Sequence, residues 1–404
     1  MIAISIIEII LFVYLAGCVF YNLLLAVAGR LSRKKKILYD ETDTYAKIAI
    51  LVPAYKEDSI ILSTVASYHR LQYPVTRFEV VVIADSLQPR TLEELAATGV
   101  SLVPVKFEKS TKAKSLNAAF EYLGDDYDLA LICDADNILE EDFLLKINHA
   151  WQQGHHAIQG QRVAKNLNTP FAILDAANEI IANFLYRKGA NALGLSSSVI
   201  GSGMAFHYPL IKEILLEIQA TGGFDKVLQL LVLSKGHSIL YLEDAYVFDE
   251  KITHAAVFEN QRKRWMSSQL VYLRTFWKQG WAALFNGNIN YFNLSVCQNA
   301  LLPRMLLLAA LTILTVAAFI LQPFLVISPA VWAGLFVLNM LSLLLPIPGK
   351  FFTRYLFTAA ITLPKAVGIM ILLLFRLKGA DKTFIHTTHT QTGIDNPLLD
   401  AARK

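Results

Sequence analysis

The chain has 404 residues, of which 54% are hydrophobic and only 17% are charged. Soluble proteins of this size usually carry more charge, so the composition indicates a protein that enters a membrane. The formal net charge of +4 is mild, and the basic residues cluster beside apolar segments, which gives no indication of a nucleic-acid partner. Cys18, Cys133 and Cys297 show neither a disulfide framework nor zinc-site spacing.

The first apolar segment, residues 2–29, contains only two strongly polar residues, Glu8 and Asn22. At about 1.5 Å per residue, it is long enough to cross a hydrocarbon core of about 30 Å. Basic residues at 30 and 33–36 follow this segment instead of preceding it, which predicts an uncleaved anchor and not a signal peptide. By the positive-inside rule, residues 30–46 form a cytoplasmic juxtamembrane linker and the N-terminus lies outside.

Further apolar segments follow Leu301, with predicted membrane spans near 303–322 and 329–347. The last run, 353–376, contains Pro364-Lys365 and has a basic end, which favours an interfacial or re-entrant helix. We therefore expect a multi-pass protein of the plasma or inner membrane with this organisation: a cytoplasmic catalytic domain at 47–275, an aromatic interfacial stretch at 276–300, membrane or interfacial helices at 301–378, and a cytoplasmic tail at 379–404.

Three apolar runs in the central region, at 48–52, 79–84 and 129–133, alternate with helical patterns. Continuous β-branched runs separated by helices predict an α/β domain with a mostly parallel sheet that is covered on both faces. The runs are followed by the loop 53–58, by Asp85 and by Asp134-Ala135-Asp136. Ligands of such sheets bind beyond the carboxyl ends of the strands, so these residues mark the predicted site.

Asp134 and Asp136 would share one side of an extended segment, since alternate residues of a strand face the same way. Mg²⁺ or Mn²⁺ would remove the repulsion between the two carboxylates, and substrate phosphates would complete the coordination of the cation. The alternative is a surface turn in which Asn137 caps a helix.

The segment Gln261-Arg262-Lys263-Arg264-Trp265 places Gln261, Arg264 and Trp265 on one face if it is helical. Arg264 can then bind a diphosphate through charge-assisted hydrogen bonds, and Trp265 offers a flat apolar surface to a sugar. A basic amphipathic helix with an interfacial tryptophan is the alternative, and both roles are compatible.

The acidic motif Asp134-Ala135-Asp136 and the basic motif that ends at Trp265 resemble, in order and spacing, motifs of family 2 glycosyltransferases. Three further parts of the sequence share this resemblance: Val52-Pro53-Ala54-Tyr55-Lys56-Glu57, Asp85 and Lys112-Ala113-Lys114-Ser115-Leu116-Asn117. The basic motif is similar to that of the membrane-embedded processive group, which includes cellulose, hyaluronan and poly-N-acetylglucosamine synthases. The resemblance covers most of residues 48–270. It implies a GT-A nucleotide-sugar-binding fold and a UDP-sugar donor.

The resemblance also implies a role for each matching residue, although each has an ordinary structural alternative, such as a helix cap, a turn or a solvated charge. The implied roles are these: Pro53, Tyr55 and Glu57 line the nucleoside pocket, Asp85 accepts a hydrogen bond from uracil, Lys112 approaches the nucleotide, Asp134 lies against the ribose or phosphate, and Asp136 binds the metal.

The general base has two candidates. Glu243-Asp244 resembles the family's Thr-Glu-Asp signature, but it lies close to Gln261 and ends an apolar strand. In the family the base precedes a helix that is followed by this strand, and Gly222-Gly223-Phe224-Asp225 fits that position because 227–233 has a helical pattern. We therefore predict Asp225 as the base, with Phe224 in place of the usual glutamate and Glu243-Asp244 as the fallback.

Two further segments carry weaker indications. By resemblance, Gly201-Ser202-Gly203 borders the acceptor site, with a flexible loop as the alternative. His386 and His389 lack a third metal ligand, so we expect the tail around them to fold against the catalytic domain.

These features predict a membrane-bound, inverting β-glycosyltransferase that uses Mg²⁺ or Mn²⁺ and elongates a polysaccharide from a UDP-sugar at the cytoplasmic face of the bilayer. A carboxylate base is needed because a hydroxyl is a poor nucleophile until its proton is removed. One alternative is transfer of a single sugar to a lipid acceptor, and another is a non-catalytic membrane scaffold or transporter. The sequence does not specify export or accessory subunits.

Overall fold

The computed structural model describes residues 2–32, 44–218, 223–376 and 389–399. The predictions made for the basic residues 33–36, for Gly222, for His386 and for most of the tail lie outside these ranges.

The described residues form one eight-stranded sheet and a set of flanking helices. The strands are β1 (Ile48–Tyr55), β2 (Phe78–Asp85), β3 (Ser101–Val105), β4 (Leu129–Ile132), β5 (Ile138–Leu139), β6 (Ala157–Ala164), β7 (Met204–His207) and β8 (Leu240–Asp249). The helices are α1 (Ile2–Leu31), α2 (Ile61–Tyr68), α3 (Pro89–Ala96), α4 (Lys112–Leu123), α5 (Phe143–Gln152), α6 (Pro170–Asn183), α7 (Ala190–Ala192), α8 (Tyr208–Glu217), α9 (Phe224–Ser234), α10 (Ala255–Phe285), α11 (Ile289–Phe292), α12 (Gln298–Ala300), α13 (Arg304–Ile320), α14 (Pro329–Leu344) and α15 (Gly349–Leu374).

The strand order is β3-β2-β1-β4-β7-β6-β8-β5. β1 pairs in parallel with β2 and β4, β2 with β3, and β6 with β8, whereas β7 and β5 are antiparallel to their neighbours. The predicted α/β fold with a mostly parallel sheet is therefore confirmed.

The sheet is buried on both faces, which explains why its central strands are apolar without alternation. Along β1, Ile50 and Val52 point into a core that includes Phe143 of α5. Leu51 points the other way, into a core that includes Leu116 of α4. Both faces are thus closed by helices, and the carboxyl ends of the strands are left to carry polar residues.

Two of the described helices, α1 and α15, are long and apolar enough to cross a membrane, and the pair α11–α12 with α13 would add a third span if its 51° bend is accommodated within one crossing. The N-terminal segment therefore forms the expected span-length helix. For the last apolar run we expect an interfacial or re-entrant helix. The re-entrant form is wrong, because α15 is one helix of 26 residues that contains Pro364, and the interfacial position stays a prediction. A proline removes one helical hydrogen bond, and the rest of α15 keeps the axis continuous.

Glu8 is a carboxylate within the apolar helix α1, yet it is buried and fully engaged. It accepts hydrogen bonds from the backbone N–H of Val326 at 2.8 Å and of Ile327 at 3.2 Å, and from Trp332 Nε1 at 3.4 Å. Polar groups in apolar surroundings require such partners. Glu8 therefore ties α1 to the connection between α13 and α14.

Candidate active site

The acidic motif lies just beyond β4, but as a turn and not as the extended segment that we expected. The backbone N–H of Asp134 donates to Asn137 Oδ1 at 3.1 Å and to Ser202 Oγ at 3.0 Å, and Asn137 Nδ2 donates to Asp136 Oδ1 at 3.3 Å. Asn137 therefore closes the turn instead of capping a helix, and the short strand β5 follows it.

A third carboxylate, which was not predicted from the sequence, completes the acidic cluster. Asp249 ends β8, and one oxygen from each of Asp134, Asp136 and Asp249 lies within 4.8 Å of the other two. The backbone N–H of Glu250 also donates to Asp136 Oδ2 at 3.0 Å, which joins the end of β8 to the turn. Three converging carboxylates are the oxygen donors that Mg²⁺ and Mn²⁺ prefer, so the residues fit a divalent cation.

Asp136 and Asp249 of this cluster have different electrostatic surroundings. Burial and the nearby charge of Asp249 raise the pKa of Asp136 to about 6. Burial also acts to raise the pKa of Asp249, but the charges of Arg162 and Lys251 outweigh it and lower that pKa. Lys251 Nζ lies 2.7 Å from Asp249 Oδ2, and Arg162 Nε lies 3.8 Å from the same oxygen. Asp249 is therefore held ionised, and Asp136 experiences the repulsion that a cation would relieve.

Lys112 and the Gly201-Ser202-Gly203 segment support the acidic turn. Lys112 Nζ pairs with Asp134 and donates to the Gly201 carbonyl at 2.7 Å. Ser202 is fully buried beneath the turn, and Gly203 has a φ of +60° with no space for a Cβ, which would lie 2.4 Å from Val247 Cγ2. Ser202 and Gly203 therefore pack below the turn, where bulkier residues would not fit, and their place beside an acceptor stays a prediction.

The predicted donor side is formed by β1 and β2. Pro53, Tyr55 and Glu57 line a cavity that opens beyond these strands, and Tyr55 is in register with Asp85 at the end of β2. Asp85 is only 1% exposed; Ser86 Oγ donates to its Oδ1 at 2.9 Å. Its Oδ2 is buried without a hydrogen-bond partner in the described part of the chain. Buried carboxylate oxygens usually have a donor, so this oxygen keeps acceptor capacity, but Asp85 is not among the described residues that line the cavity.

The C-terminal segment 389–399 folds against this side of the domain, as we expected for the tail. His389 Nδ1 lies 3.1 Å from Glu57 Oε1, and the backbone N–H groups of Thr390 and Gln391 each donate to Glu250 Oε2 at 2.9 Å. Burial lowers the pKa of His389, but the hydrogen bond to Glu57 and the charges of Asp136 and Glu57 outweigh it and raise the pKa to about 10. The segment therefore places a positive charge beside the acidic cluster.

The predicted base lies in the first turn of α9. Asp225 lines the same cavity as the acidic cluster, and a Cβ built on Gly201 would lie 4.0 Å from Asp225 Cβ. The carbonyl of Gly201 accepts a hydrogen bond from Lys112, so Asp225, which lies beside Gly201, is close to the Lys112–Asp134 pair. The fallback residues are elsewhere: Glu243 pairs with Lys188 at 2.8 Å, and neither it nor Asp244 is among the described residues that line the cavity.

The basic motif lies on α10, as predicted, and Gln261, Arg264 and Trp265 all line the cavity. Burial lowers the pKa of Arg264. Trp265 remains 42% exposed, and the Arg262 guanidinium lies 4.3 Å from the centre of its ring. Arg262 is itself buried and ion-paired with Asp175, so it holds the indole in place by a cation–π contact.

These groups share one cavity of about 880 Å³. Carboxylates beyond the strand ends occupy one region, and Asp225 with the amide, guanidinium and indole of α10 occupies another. This combination defines a nucleotide-sugar transferase built on an α/β sheet.

Comparison with known proteins gives the family. Residues 46–268 match the model described as glycosyltransferase like family 2, and the chain belongs to this family. It is therefore an enzyme of the glycosyltransferase class. The match extends over most of the region that carries the motifs.

One curated relative is named probable glycosyltransferase YdaM, from Bacillus subtilis strain 168, and is 23% identical over 237 residues. The alignment covers 54% of this chain and 54% of the relative, so the chain spans about half of the relative's length. A solved structure of mannosyltransferase PcManGT from Pyrobaculum calidifontis, in complex with GDP-Man and Mn²⁺, has a TM-score of 0.52 at 15% identity. That likeness covers 84% of this chain and 97% of PcManGT, and it shows the fold alone.

A second solved structure, S. aureus TarS 1-349 in complex with UDP, has a TM-score of 0.36 at 19% identity and covers 50% of this chain and 60% of TarS 1-349.

Proposed function

We propose that this enzyme transfers a sugar from a UDP-sugar, with inversion, to an acceptor at the cytoplasmic surface of a membrane, and that it elongates a polysaccharide. The observation that carries the proposal is the single cavity in which the carboxylates of Asp134, Asp136 and Asp249 meet Asp225 and Trp265. A donor, a base and an acceptor platform are the parts that sugar transfer requires.

The carboxylate cluster would hold Mg²⁺ or Mn²⁺. When bound, the cation stabilises the negative charge that develops on the departing diphosphate. Lys251 and Arg162 keep Asp249 ionised, and the ion pair with Lys112 orients Asp134. The Mn²⁺ in the PcManGT complex supports the same metal class here.

The nucleoside would bind between Tyr55 and Asp85. Asp85 Oδ2, which has no hydrogen-bond partner among the described residues, would accept a hydrogen bond from the ring N–H of uracil, which is the contact that the family resemblance implies. Guanine also presents a ring N–H, so a donor screen is needed to compare UDP-glucose, UDP-N-acetylglucosamine, UDP-glucuronate and GDP-mannose. We expect release of UDP and not of GDP from the purified enzyme with Mn²⁺.

Asp225 would accept the proton of the acceptor hydroxyl as the new bond forms, which can contribute a factor of about 10²–10⁴ in rate. Single displacement at the anomeric carbon then inverts its configuration, so an α-linked donor gives a β-glycoside. Trp265 offers its exposed face to the acceptor sugar, and Arg264 and Gln261 lie beside it to contact the diphosphate or the acceptor.

A lipid acceptor is the second candidate, and one observation favours it. The cavity extends from Asp225 to Pro303, Met305 and Met370, which lie at the start of α13 and within α15. An acceptor held in part by the bilayer would reach the base along these residues. The product separates the candidates: membranes incubated with a radiolabelled UDP-sugar yield a long polymer in the first case and a lipid that carries one sugar in the second.

We further propose that α1 and α15 anchor the enzyme and that the catalytic domain faces the cytoplasm. The basic residue at the end of α1 supports this orientation. Labelling of single cysteines at position 98, in the domain, and at position 2 in sealed inverted vesicles tests it. Labelling of both from the same side of the membrane would contradict the proposal.

A further inference from the structure

Three cations at the membrane end of the cavity have neutral hydrogen-bond partners among the described residues. Arg187, Lys226 and Arg304 line this end, and no carboxylate forms an ion pair with any of them within the described ranges of the chain. Arg187 Nη1 donates to Asn183 Oδ1 at 3.0 Å, and Lys226 Nζ donates to Asn299 Oδ1 at 2.8 Å. Together the three residues form a cationic subsite.

Arg304 completes the cationic subsite in the same manner, since its Nη2 donates to the carbonyl of Asn178 at 2.9 Å and to Asn178 Oδ1 at 2.7 Å. Arg187 is the most confined of the three. It is only 5% exposed, and its Nε is buried without a partner among the described residues. A hydrogen-bond donor of a buried guanidinium is thus left for a ligand.

The remainder of the cavity shows that this chain supplies counter-ions where a cation has a structural role. Arg162 and Lys251 pair with Glu179, and Arg262 pairs with Asp175. A buried cation without a counter-ion is costly, so its retention requires a reason. Burial lowers the pKa of Arg187 to about 10, which still leaves the side chain protonated at neutral pH.

The position of the cationic subsite identifies the ligand group. Lys226 directly follows the predicted base Asp225, and Arg304 begins α13 between the apolar residues Pro303 and Met305. The carboxylate cluster and Lys112 line the same cavity, and the donor diphosphate is proposed to bind at these residues. An anion between the base and the membrane helices therefore belongs to the acceptor, and guanidinium groups match the oxygens of a phosphate.

We propose that Arg187, Lys226 and Arg304 bind the phosphate of a membrane-lipid acceptor, whose hydrocarbon chain lies along Met305 and Met370. This inference rests on the proposed sugar transfer from a UDP-sugar, and it develops the second candidate acceptor, the lipid. It also accounts for a cavity that joins a polar, charged end to the membrane helices.

The test measures binding of farnesyl phosphate to the purified full-length protein in detergent, with farnesol and inorganic phosphate as separate probes. We expect farnesyl phosphate to bind at least tenfold more tightly than either probe, because it alone combines the anion with the chain. Arg187→Met and Arg304→Met should each weaken its binding about 10–100-fold through loss of charge-assisted hydrogen bonds. Arg90→Met is the matched control, since Arg90 pairs with Glu94 on the exposed surface of α3.

Two further measurements distinguish a lipid-phosphate site from a loss of the donor site or of the fold. UDP binding with Mn²⁺ should be unchanged in Arg187→Met; if the wild-type protein does not bind UDP at all, the proposed function fails independently of the lipid result. The melting temperature of Arg187→Met should be unchanged or higher, because the substitution removes a buried cation that has no counter-ion within the described part of the chain.

Several results would overturn the proposal. Binding of farnesol as tight as that of farnesyl phosphate would leave no role for the anion, and equally tight binding of inorganic phosphate would leave no role for the lipid. Unchanged affinity in both arginine variants would place the ligand elsewhere. A large fall in the melting temperature of Arg187→Met, parallel to the loss of binding, would assign Arg187 a structural role instead.

Discussion

Asp249 provides the sharpest test of the proposed metal site, because it belongs both to the carboxylate cluster and to a buried network of ion pairs. It is one of three carboxylates within 4.8 Å of each other, and it also pairs with Lys251 at 2.7 Å. Glu179 belongs only to the network of ion pairs, because it accepts hydrogen bonds from both Arg162 and Lys251 but is not part of the carboxylate cluster. Glu179→Gln is therefore a matched control for Asp249→Asn.

The two substitutions should remove a similar ion-pair contribution to the free energy of unfolding. Removal of one partner from a buried ion pair costs about 3–5 kcal/mol, and both variants leave Arg162 and Lys251 with a single carboxylate. Asp249→Asn also removes repulsion within the cluster, which amounts to about 3 kcal/mol for two unit charges 4.8 Å apart at an effective dielectric constant of about 20. Without metal, Asp249→Asn should therefore be the more stable of the two variants.

Their effects on metal binding should differ. Loss of a residue that only orients ligands weakens metal binding by about 10–100-fold, so loss of a ligand should weaken it by at least about 100-fold. Calorimetric titration of Mn²⁺ into the full-length protein with UDP present measures this, and we expect Glu179→Gln to lose less than about tenfold. Equal losses in the two variants, or wild-type affinity in Asp249→Asn, would refute the assignment of Asp249 as a ligand.

Three further predictions concern the general base Asp225, the pH dependence of metal binding and the contribution of Gly203 to stability. Asp225→Asn should reduce transfer by about 10²–10⁴-fold while it leaves UDP binding intact, and Asp244→Asn should be mild; the opposite pattern would contradict the choice of base. Because the pKa of Asp136 is raised to about 6, protons compete with the cation as the pH falls, and the Mn²⁺ affinity should drop about tenfold between pH 7 and pH 5; a flat profile would contradict this. Gly203→Ala should lower the free energy of unfolding by about 2–4 kcal/mol through backbone strain and a contact with Val247. Gly236→Ala, at a φ of +84° with open space around it, should cost only about 1 kcal/mol, and equal losses would show that the contact is unimportant.

Features that depend on neighbouring residues could be predicted from the sequence. Continuous apolar runs indicated the strands β1, β2 and β4, and helical spacing placed Gln261, Arg264 and Trp265 on one face of α10. The order of helix and strand favoured Asp225 over Asp244, and of these two only Asp225 lines the cavity. In each case the signal lies within about one element of the chain, where local propensity and periodicity act.

Asp249 marks the limit of that reasoning. A local signal for it existed, because Asp249-Glu250 follows the apolar residues 245–248, as the acidic motif follows β4. The family resemblance pointed to Glu243-Asp244 instead, so the extension of β8 to Asp249 was missed. The convergence of Asp249 with Asp136 then depends on the parallel pairing of β8 with β6, which includes a register shift between Gly160 and Gln161.

The sequence by itself determined the fold class, the span-length helix α1 and the family motifs, because apolar periodicity and residue chemistry are local properties. Tertiary structure alone decided which distant groups meet: His389 with Glu57, Asp249 with Asp136, and Arg187 with Arg304 at one end of the cavity. The physical reason is that contacts between residues far apart in the chain follow from strand register and helix packing, and neither is encoded in the spacing of a short motif.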